Sequence, residues 1–373
     1  MKTSTSKRLR WNVAIWLAAG LFMTSTAGMA SGPILPDPKA EARHHPQIEE
    51  TANGIPLVNI TAPSSGGVSR NEYEMFNVPD KGAILNNSYT LSKTELAGYV
   101  QGNNNMAERP AKIIVNEVTG AGSTSMDGFL EVAGNRADVV IANPNGITVN
   151  GGGFINTGKA FLTTGKPVYD GEDHLQRFDI TGGDILIEGK GLGGKETESL
   201  AILSRAVKIN AGIWAKDLHI TTGANTVDAK TLEASAIEGK GGRPAFALDT
   251  AAIGGMYAGR ITLVGTEKGL GVNNSGTWSA EDNLTLDWNG DLKNSGTIYS
   301  KGNTDLRASR LENDKTIAAE RNLSAAAKEN IRNQGKLLAG ENMGIYAGKT
   351  LDNAGHAMES RNNLSIETGD AIN

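Results

Sequence analysis

Five short segments toward the end of the chain repeat one another: Val272-Asn273-Asn274-Ser275-Gly276, Leu292-Lys293-Asn294-Ser295-Gly296, Leu311-Glu312-Asn313-Asp314-Lys315, Ile331-Arg332-Asn333-Gln334-Gly335 and Leu351-Asp352-Asn353-Ala354-Gly355. They begin 20, 19, 20 and 20 residues apart. Each opens on an aliphatic residue and carries Asn third. Four of the five carry Gly fifth, Lys315 being the exception. A second Asn with an apolar neighbour recurs further along, as Asn283-Leu284, Asn322-Leu323, Asn342-Met343 and Asn363-Leu364. A period of this length admits a leucine-rich repeat or a β-helix. The first needs a Leu-x-x-Leu-x-Leu framework, which is missing. Short apolar alternation with stacked Asn and Gly predicts a parallel β-helix. In such a fold each coil buries a few inward side chains and its backbone pairs with the coils above and below. Asn side chains stacked in register can hydrogen-bond along the ladder.

Upstream, from 56 to 270, the pattern changes to short β-like runs separated by turn formers. Examples are Ala83-Ile84-Leu85, Lys112-Ile113-Ile114-Val115, Asp138-Val139-Val140-Ile141, Asp184-Ile185-Leu186-Ile187 and Arg260-Ile261-Thr262-Leu263-Val264. Asn145-Gly146, Asn150-Gly151 and Gly182-Gly183 supply turns. One stretch, Glu198 to Ile209, has apolar spacing that fits a helix. Residues 31–55 hold Pro33, Pro36, Pro38 and Pro46 among charges and read as an extended segment. Gly is high at 47 of 373 residues and aromatics are only 5%. That composition suits many tight turns around a thin repetitive core.

The chain opens on a secretory leader. Lys2, Lys7, Arg8 and Arg10 form a basic region, and Trp11 to Met23 form an apolar run too short to span a bilayer. Gly28 and Ala30 fit the small positions before a cleavage site, so cleavage is expected between Ala30 and Ser31. The formal charge is −5. Removing the four basic leader residues from 36 leaves 32 against 41 acidic, a balance of −9. A mildly acidic surface argues against a nucleic-acid partner. The chain has no Cys, which excludes disulfides, thiolate metal sites and a Cys nucleophile.

Motifs that suggest chemistry lack their context. Gly189-Lys190-Gly191-Leu192-Gly193-Gly194 contains G-x-G-x-x-G, but a dinucleotide site needs a βαβ unit around it. Read as a P-loop, it has Glu196 where Ser or Thr must ligate magnesium. His44 and His45 lie among Glu41, Glu49 and Glu50 with no third spaced ligand. His174 and His219 are isolated, and the pair Glu172-Asp173 is adjacent in sequence, so no acid–base pair is set at a defined distance. No catalytic residue, cofactor or metal is expected.

Three ordered blocks carry a resemblance. The first is Ser69-Arg70-Asn71-Glu72-Tyr73-Glu74-Met75-Phe76-Asn77-Val78, followed by Gly82 to Ser88. The second is Ile141-Ala142-Asn143-Pro144-Asn145-Gly146-Ile147 with Gly153 to Thr157. The third is Ala211-Gly212-Ile213-Trp214-Ala215, then Gly254 to Gly259 and Leu263 to Thr266. Together they resemble the secretion domain of two-partner secretion exoproteins, which include filamentous-haemagglutinin-like adhesins and contact-dependent growth inhibition proteins. The resemblance implies an all-β fold, a right-handed parallel β-helix (β-solenoid) with an N-terminal cap. It divides the chain into a signal peptide (1–30), an extended mature N-terminus (31–55), a secretion domain (56–270) and haemagglutinin-type repeats that begin a shaft (271–373).

It also implies partners. The Sec machinery would carry the chain to the periplasm. An outer-membrane β-barrel transporter with periplasmic recognition domains would then export it to the cell surface or medium. A receptor on a host or neighbouring cell would follow. Asn77 and the turn Asn143-Pro144-Asn145-Gly146 are the expected recognition residues, in a turn where Pro fixes φ and Asn-Gly tolerates positive φ. Growth-inhibition relatives often carry two Cys just after this turn; Val149 and Gly152 stand there here. Two functions of different class follow: an adhesin-type interaction protein, or the export and shaft base of a contact-dependent toxin. The last repeat keeps its register through Asn353, Gly355, Leu364 and Ile366, and only Ala371-Ile372-Asn373 follow. The expectation is that this end carries no designed cap and that its terminal coil frays.

Overall fold

A computed structural model describes residues 34–106 and 109–372; the expected cleavage site at Ala30 and Ser31 lies outside them. The described chain is strand and turn throughout, with two single-turn 3-10 segments, Ala42–His44 and Asn104–Met106, and no α-helix. Thirty-three strands join one continuous sheet in which successive coils pair in parallel. The architecture is the right-handed parallel β-helix, the hand favoured for parallel crossovers.

The shaft shows why the repeat spells this fold. The aliphatic column Val272, Leu292, Leu311, Ile331 and Leu351 stacks in register, and every member is buried. A second column runs Trp278, Ile298, Ile317, Leu337 and Met358. Inward residues alternate with outward ones along each short strand, the period-two pattern of β structure. The Asn column is buried with them. Asn274 donates Nδ2 to Asn294 Oδ1 at 2.8 Å, and the pattern continues to Asn313 at 2.8 Å, Asn333 at 2.7 Å and Asn353 at 2.6 Å. Nδ2 of Asn274, Asn294 and Asn313 also donates to the backbone carbonyl of Thr297, Thr316 or Lys336, and Oδ1 of Asn274 accepts the Gly276 amide at 3.1 Å. Each amide is thereby satisfied inside an apolar core, where an unpaired one would cost about 1–3 kcal/mol. Gly suits the position two residues on in four of the five coils because the coils approach closely there: a Cβ on Gly296 would lie 2.1 Å from the Gly276 carbonyl oxygen, and Lys315 marks the one coil that departs from this.

The N-terminal end is closed by antiparallel pairing, which ends the stack without leaving a parallel edge. Leu35–Pro36 runs antiparallel to Val68–Met75. Gln47–Glu50 and Pro56–Asn59 form a hairpin, and the second of these strands then pairs in parallel with Ala83–Asn87. Ile34, Val58, Ile60, Tyr73 and Phe76 fill the first coil. Thus much of the stretch after residue 34, read from its prolines as extended, is folded as this closing layer.

The helix expected over Glu198 to Ile209 is absent. Ser199–Ser204 and Ala206–Ile209 are strands, pairing with Lys159–Thr163 and with Asp184–Ile187. Leu200, Ile202, Val207 and Ile209 point into the core, while Ala201 and Leu203 pack under a separate side sheet. Burial on both faces made the apolar residues nearly continuous, which mimics a helical pattern. That side sheet is antiparallel, formed by Lys166–Tyr169, Leu175–Ile180, Asn225–Asp228 and Ala234–Ala236. Gly189 and Gly191 turn at φ +56° and +79° between strands Asp184–Ile187 and Leu192–Gly194, and no helix follows.

Candidate functional site

The two blocks that carry the expected recognition residues meet on one loop. Thr119 to Ser125 leaves the strand Ile113–Val118 and returns at Thr124–Met126. Asn77, nearly buried, accepts the Ser125 amide on Oδ1 at 2.8 Å. Val78 next to it bridges to Met126 in parallel. From the other side, Asn143 is fully buried and donates Nδ2 to the Gly122 carbonyl at 2.9 Å and to Thr124 Oγ1 at 3.0 Å. Asn145 is exposed and donates Nδ2 to the Gly120 carbonyl at 2.8 Å. The loop is thus clamped by three asparagines from two separate coils.

The turn itself is built as its residues dictate. Asn143 Oδ1 accepts the Asn145 amide at 2.9 Å, an Asx turn. The Gly146 amide closes back on the Asn143 carbonyl at 3.1 Å. Gly146 sits at φ +112°, and a Cβ there would come 3.0 Å from the Asp184 carbonyl oxygen. Pro144 and Asn145 face outward, Asn143 and Gly146 inward. The four residues therefore divide their work: two hold the turn and two are presented. A shallow groove beside them is lined by Ser123, Asn145, Thr148, Asp184 and Lys208. Val149 lies in the core, and the Cβ that Gly152 lacks would sit 2.9 Å from Val149 Cγ1 and 2.6 Å from Met126 Cγ. The two positions are neighbours in space, with Met126 filling the room beside them.

Sequence reasoning missed a charged cluster that ties the cap to this region. Thr119 Oγ1 donates to Asp37 Oδ2 at 2.6 Å, and that bond, with the Lys39 amide, holds the Asp37 carboxyl below its usual range. Nearby, Arg70 Nη2 reaches Glu72 at 2.8 Å and Glu117 at 3.2 Å, and the guanidinium carbon lies 4.5 Å from the centre of the Tyr169 ring. His44 Nδ1 meets Glu72 at 3.0 Å, and Arg43 meets Asp173 of the side sheet at 2.5 Å. Burial pushes the Glu117 carboxyl up, against the pull of Arg70. Burial and the Arg70 charge push His44 down. His44, read as a candidate ligand with nothing to hold it, is a buried member of this cluster at the end of the Ala42–His44 turn. Asp173 lies in a loop at φ +57°, turned toward Arg43 and His44. No sequence signal marks the cluster, since its members are up to 130 residues apart. Among the described residues no three His, Cys, Asp or Glu side chains gather as a metal site.

A capped β-helix with a clamped, outward-facing turn near its closed end, continuing into a regular shaft, defines a secretion-domain solenoid. The comparisons agree. The TPS secretion domain model matches residues 33–299, and the haemagglutinin repeat model matches residues 299–373. The chain is 42% identical to the "Toxin CdiA" of Yersinia pestis over 298 residues, covering 74% of this chain and 9% of that protein. It is 40% identical to the "16S rRNA endonuclease CdiA" of Enterobacter cloacae over 343 residues, covering 91% of this chain and 10% of that one. A crystal structure of the filamentous hemagglutinin secretion domain superposes with a TM-score of 0.62 at 27% identity, covering 91% of this chain and 99% of that one. The chain belongs to the two-partner secretion (TPS) exoprotein family. It spans about a tenth of the length of the curated relatives it matches. The matched domain is one of secretion and not of catalysis, and proteins of this family are secreted or displayed at the cell surface.

Proposed function

We propose that this chain is the export module and shaft base of a cell-surface or secreted exoprotein with adhesin-type interaction. The leader delivers it to the periplasm through the Sec machinery. There, periplasmic domains of an outer-membrane β-barrel transporter recognise it and the barrel passes it outward. The observation that carries this reading is the convergence of Asn77 and Asn143–Gly146 on one loop beside the cap, within a domain matched to the TPS family. That geometry supports a recognition surface made of the exposed loop Thr119 to Ser123 with Pro144 and Asn145. Folding can supply direction: each coil contacts only its neighbours, so coils that form outside hold the chain there.

A second reading, that the chain is the delivery base of a contact-dependent toxin, is favoured by the names of its relatives, several of which are a tRNA nuclease or toxin CdiA. A receptor on a host or neighbouring cell belongs to either reading. The export claim is tested by expressing the chain with and without its genetically linked transporter. Accumulation in the medium or on the surface only when the barrel is present supports it. Equal release without any barrel overturns it.

A further inference from the structure

We propose that one outward face of the solenoid is a binding platform for a linear, uncharged glycan lying along the solenoid axis. This site is separate from the transporter-recognition loop and goes beyond the export reading.

The evidence is a single register column. Phe129 pairs with Gly153, Gly153 with Gly193, and Gly193 with Trp214. Trp214 then pairs with Tyr257, Tyr257 with Ser279, and Ser279 with Tyr299. These seven positions lie one above another on successive coils. At about 4.8 Å per coil the column runs about 29 Å from Phe129 to Tyr299. Every member is either aromatic or small.

The rings lie down on the sheet because glycines make room for them. A Cβ on Gly153 would be 2.4 Å from Phe129 Cε1. One on Gly212 would be 2.4 Å from Trp214 Cη2, and one on Gly255 would be 2.8 Å from the Tyr257 hydroxyl. Trp214 and Tyr257 are stacked, with centroids 6.2 Å apart and planes 16° apart. Phe129 is 42% and Tyr257 39% exposed, high for large side chains on a well-packed sheet. Rings laid flat on a surface offer their π faces outward. Those faces are electron-rich and attract weakly positive C–H groups. The flat C–H face of a hexopyranose is the chemical match. A hexose unit in an extended chain also advances by about one coil spacing, so successive sugars can meet successive coils.

The neighbouring column supplies hydrogen-bonding groups. Thr277, Thr297 and Thr316 stand in register, two residues before Ser279, Tyr299 and Ala318 and so on the same face of the sheet. Among the described residues their hydroxyls have no side-chain or backbone partner within the protein. At the corner that ends these strands, Arg260 reaches Asp217 at 3.3 Å and Asp282 at 4.0 Å, a line of polar groups suited to sugar hydroxyls. The column itself carries no charged side chain from Phe129 to Tyr299, and the charges at the corner beside it are paired as Arg260 with Asp217 and Asp282, so an uncharged ligand fits it.

Trp214 gives a direct readout in the chain freed of its leader, which removes Trp11 and Trp16, because Trp278 and Trp288 are buried in the core. That purified chain is titrated with cellohexaose and with chitohexaose, following tryptophan fluorescence and heat of binding, with glucose as the single-sugar control. The expected result is saturable binding of at least one hexamer, a fluorescence change absent in Trp214→Phe, and much weaker binding of glucose. Trp214→Ala combined with Tyr257→Ala is expected to weaken binding about tenfold or more. Both side chains face outward, and an unchanged thermal midpoint confirms that the fold is kept. Gly212→Ala, which lifts the Trp214 ring without removing it, is expected to weaken binding severalfold. Absence of saturable binding to either hexamer, or binding that both variants leave unchanged, overturns the proposal. So does a Trp214 response to the transporter's periplasmic domains in place of the glycans, which would make the strip a protein contact.

Discussion

The shaft and the secretion domain stack coils in the same way but hold them differently. In the shaft, five coils repeat one solution: a column of Leu, Ile or Val, a column of buried Asn, and Gly where backbones touch. In the secretion domain each coil is particular. Its asparagines leave the ladder and clamp a loop, its charges gather under the cap, and an antiparallel sheet is added on one side. Regularity serves length, since a repeated coil can be extended without a new solution. Irregularity is where a partner can find something to recognise.

The largest expected effect lies in the regular part. Asn313→Ala removes the middle of the ladder and the four hydrogen bonds of that side chain, with Asn294 Nδ2, Asn333 Oδ1 and the Lys315 and Lys336 carbonyls. Four buried hydrogen bonds lost at about 1 kcal/mol each should cost about 4 kcal/mol, read as a loss in chemical-denaturation stability. A loss under about 1 kcal/mol would show that the ladder is ornament on an apolar stack. In the secretion domain, Asn143→Ala breaks the bonds to Gly122, Thr124 and the Asn145 amide and should cost about 3 kcal/mol. Asn145→Ala, at an exposed position, should cost less than about 1 kcal/mol.

A pH effect of similar size separates the two regions. Burial lowers His219 from 6.5 to about 4, and its Nε2 meets Thr221 Oγ1 at 2.9 Å. The unfolded chain takes up this proton below about pH 6.5 while the folded chain refuses it until about pH 4. Stability should therefore fall as pH drops from 6.5 to 4, by up to about 3 kcal/mol. His44, also lowered, acts with the same sign, and Glu117, raised, acts against both. Urea denaturation at several pH values should show a slope in parent protein that His219→Gln reduces. An unchanged slope would mean that His219 is solvated in the folded state.

How much of this was legible depended on whether partners sit at a fixed distance in sequence. The shaft was legible because its contacts recur every 19 or 20 residues, so Asn, Gly and Leu columns appear as a repeat. The turn at Asn143–Gly146 was legible because Asx-turn chemistry is local. The strands over Ser199–Ile209 were misread because burial on both faces erased their alternation. The Arg70 cluster was invisible because its members come from the cap, two coils and the side sheet. The column from Phe129 to Tyr299 was hidden by inserted loops, which space its members 24, 40, 21, 43, 22 and 20 residues apart. The role of the loop Thr119 to Ser125 was also hidden, since its Gly and Ser content reads as an ordinary connection.

The central claim is that recognition resides in the irregular domain and that the shaft is carried with it. The most direct measurement compares export and stability of two variants beside the parent, in cells carrying the transporter. One is Asn77→Ala with Asn145→Ala; the other is Asn313→Ala. The account predicts that the first is retained in the periplasm although the purified protein stays within about 2 kcal/mol of the parent. It predicts that the second is exported although it is less stable. If instead export follows stability, with the Asn313 variant retained and the paired variant released, the asparagines at the loop are turn residues only and the claim is contradicted.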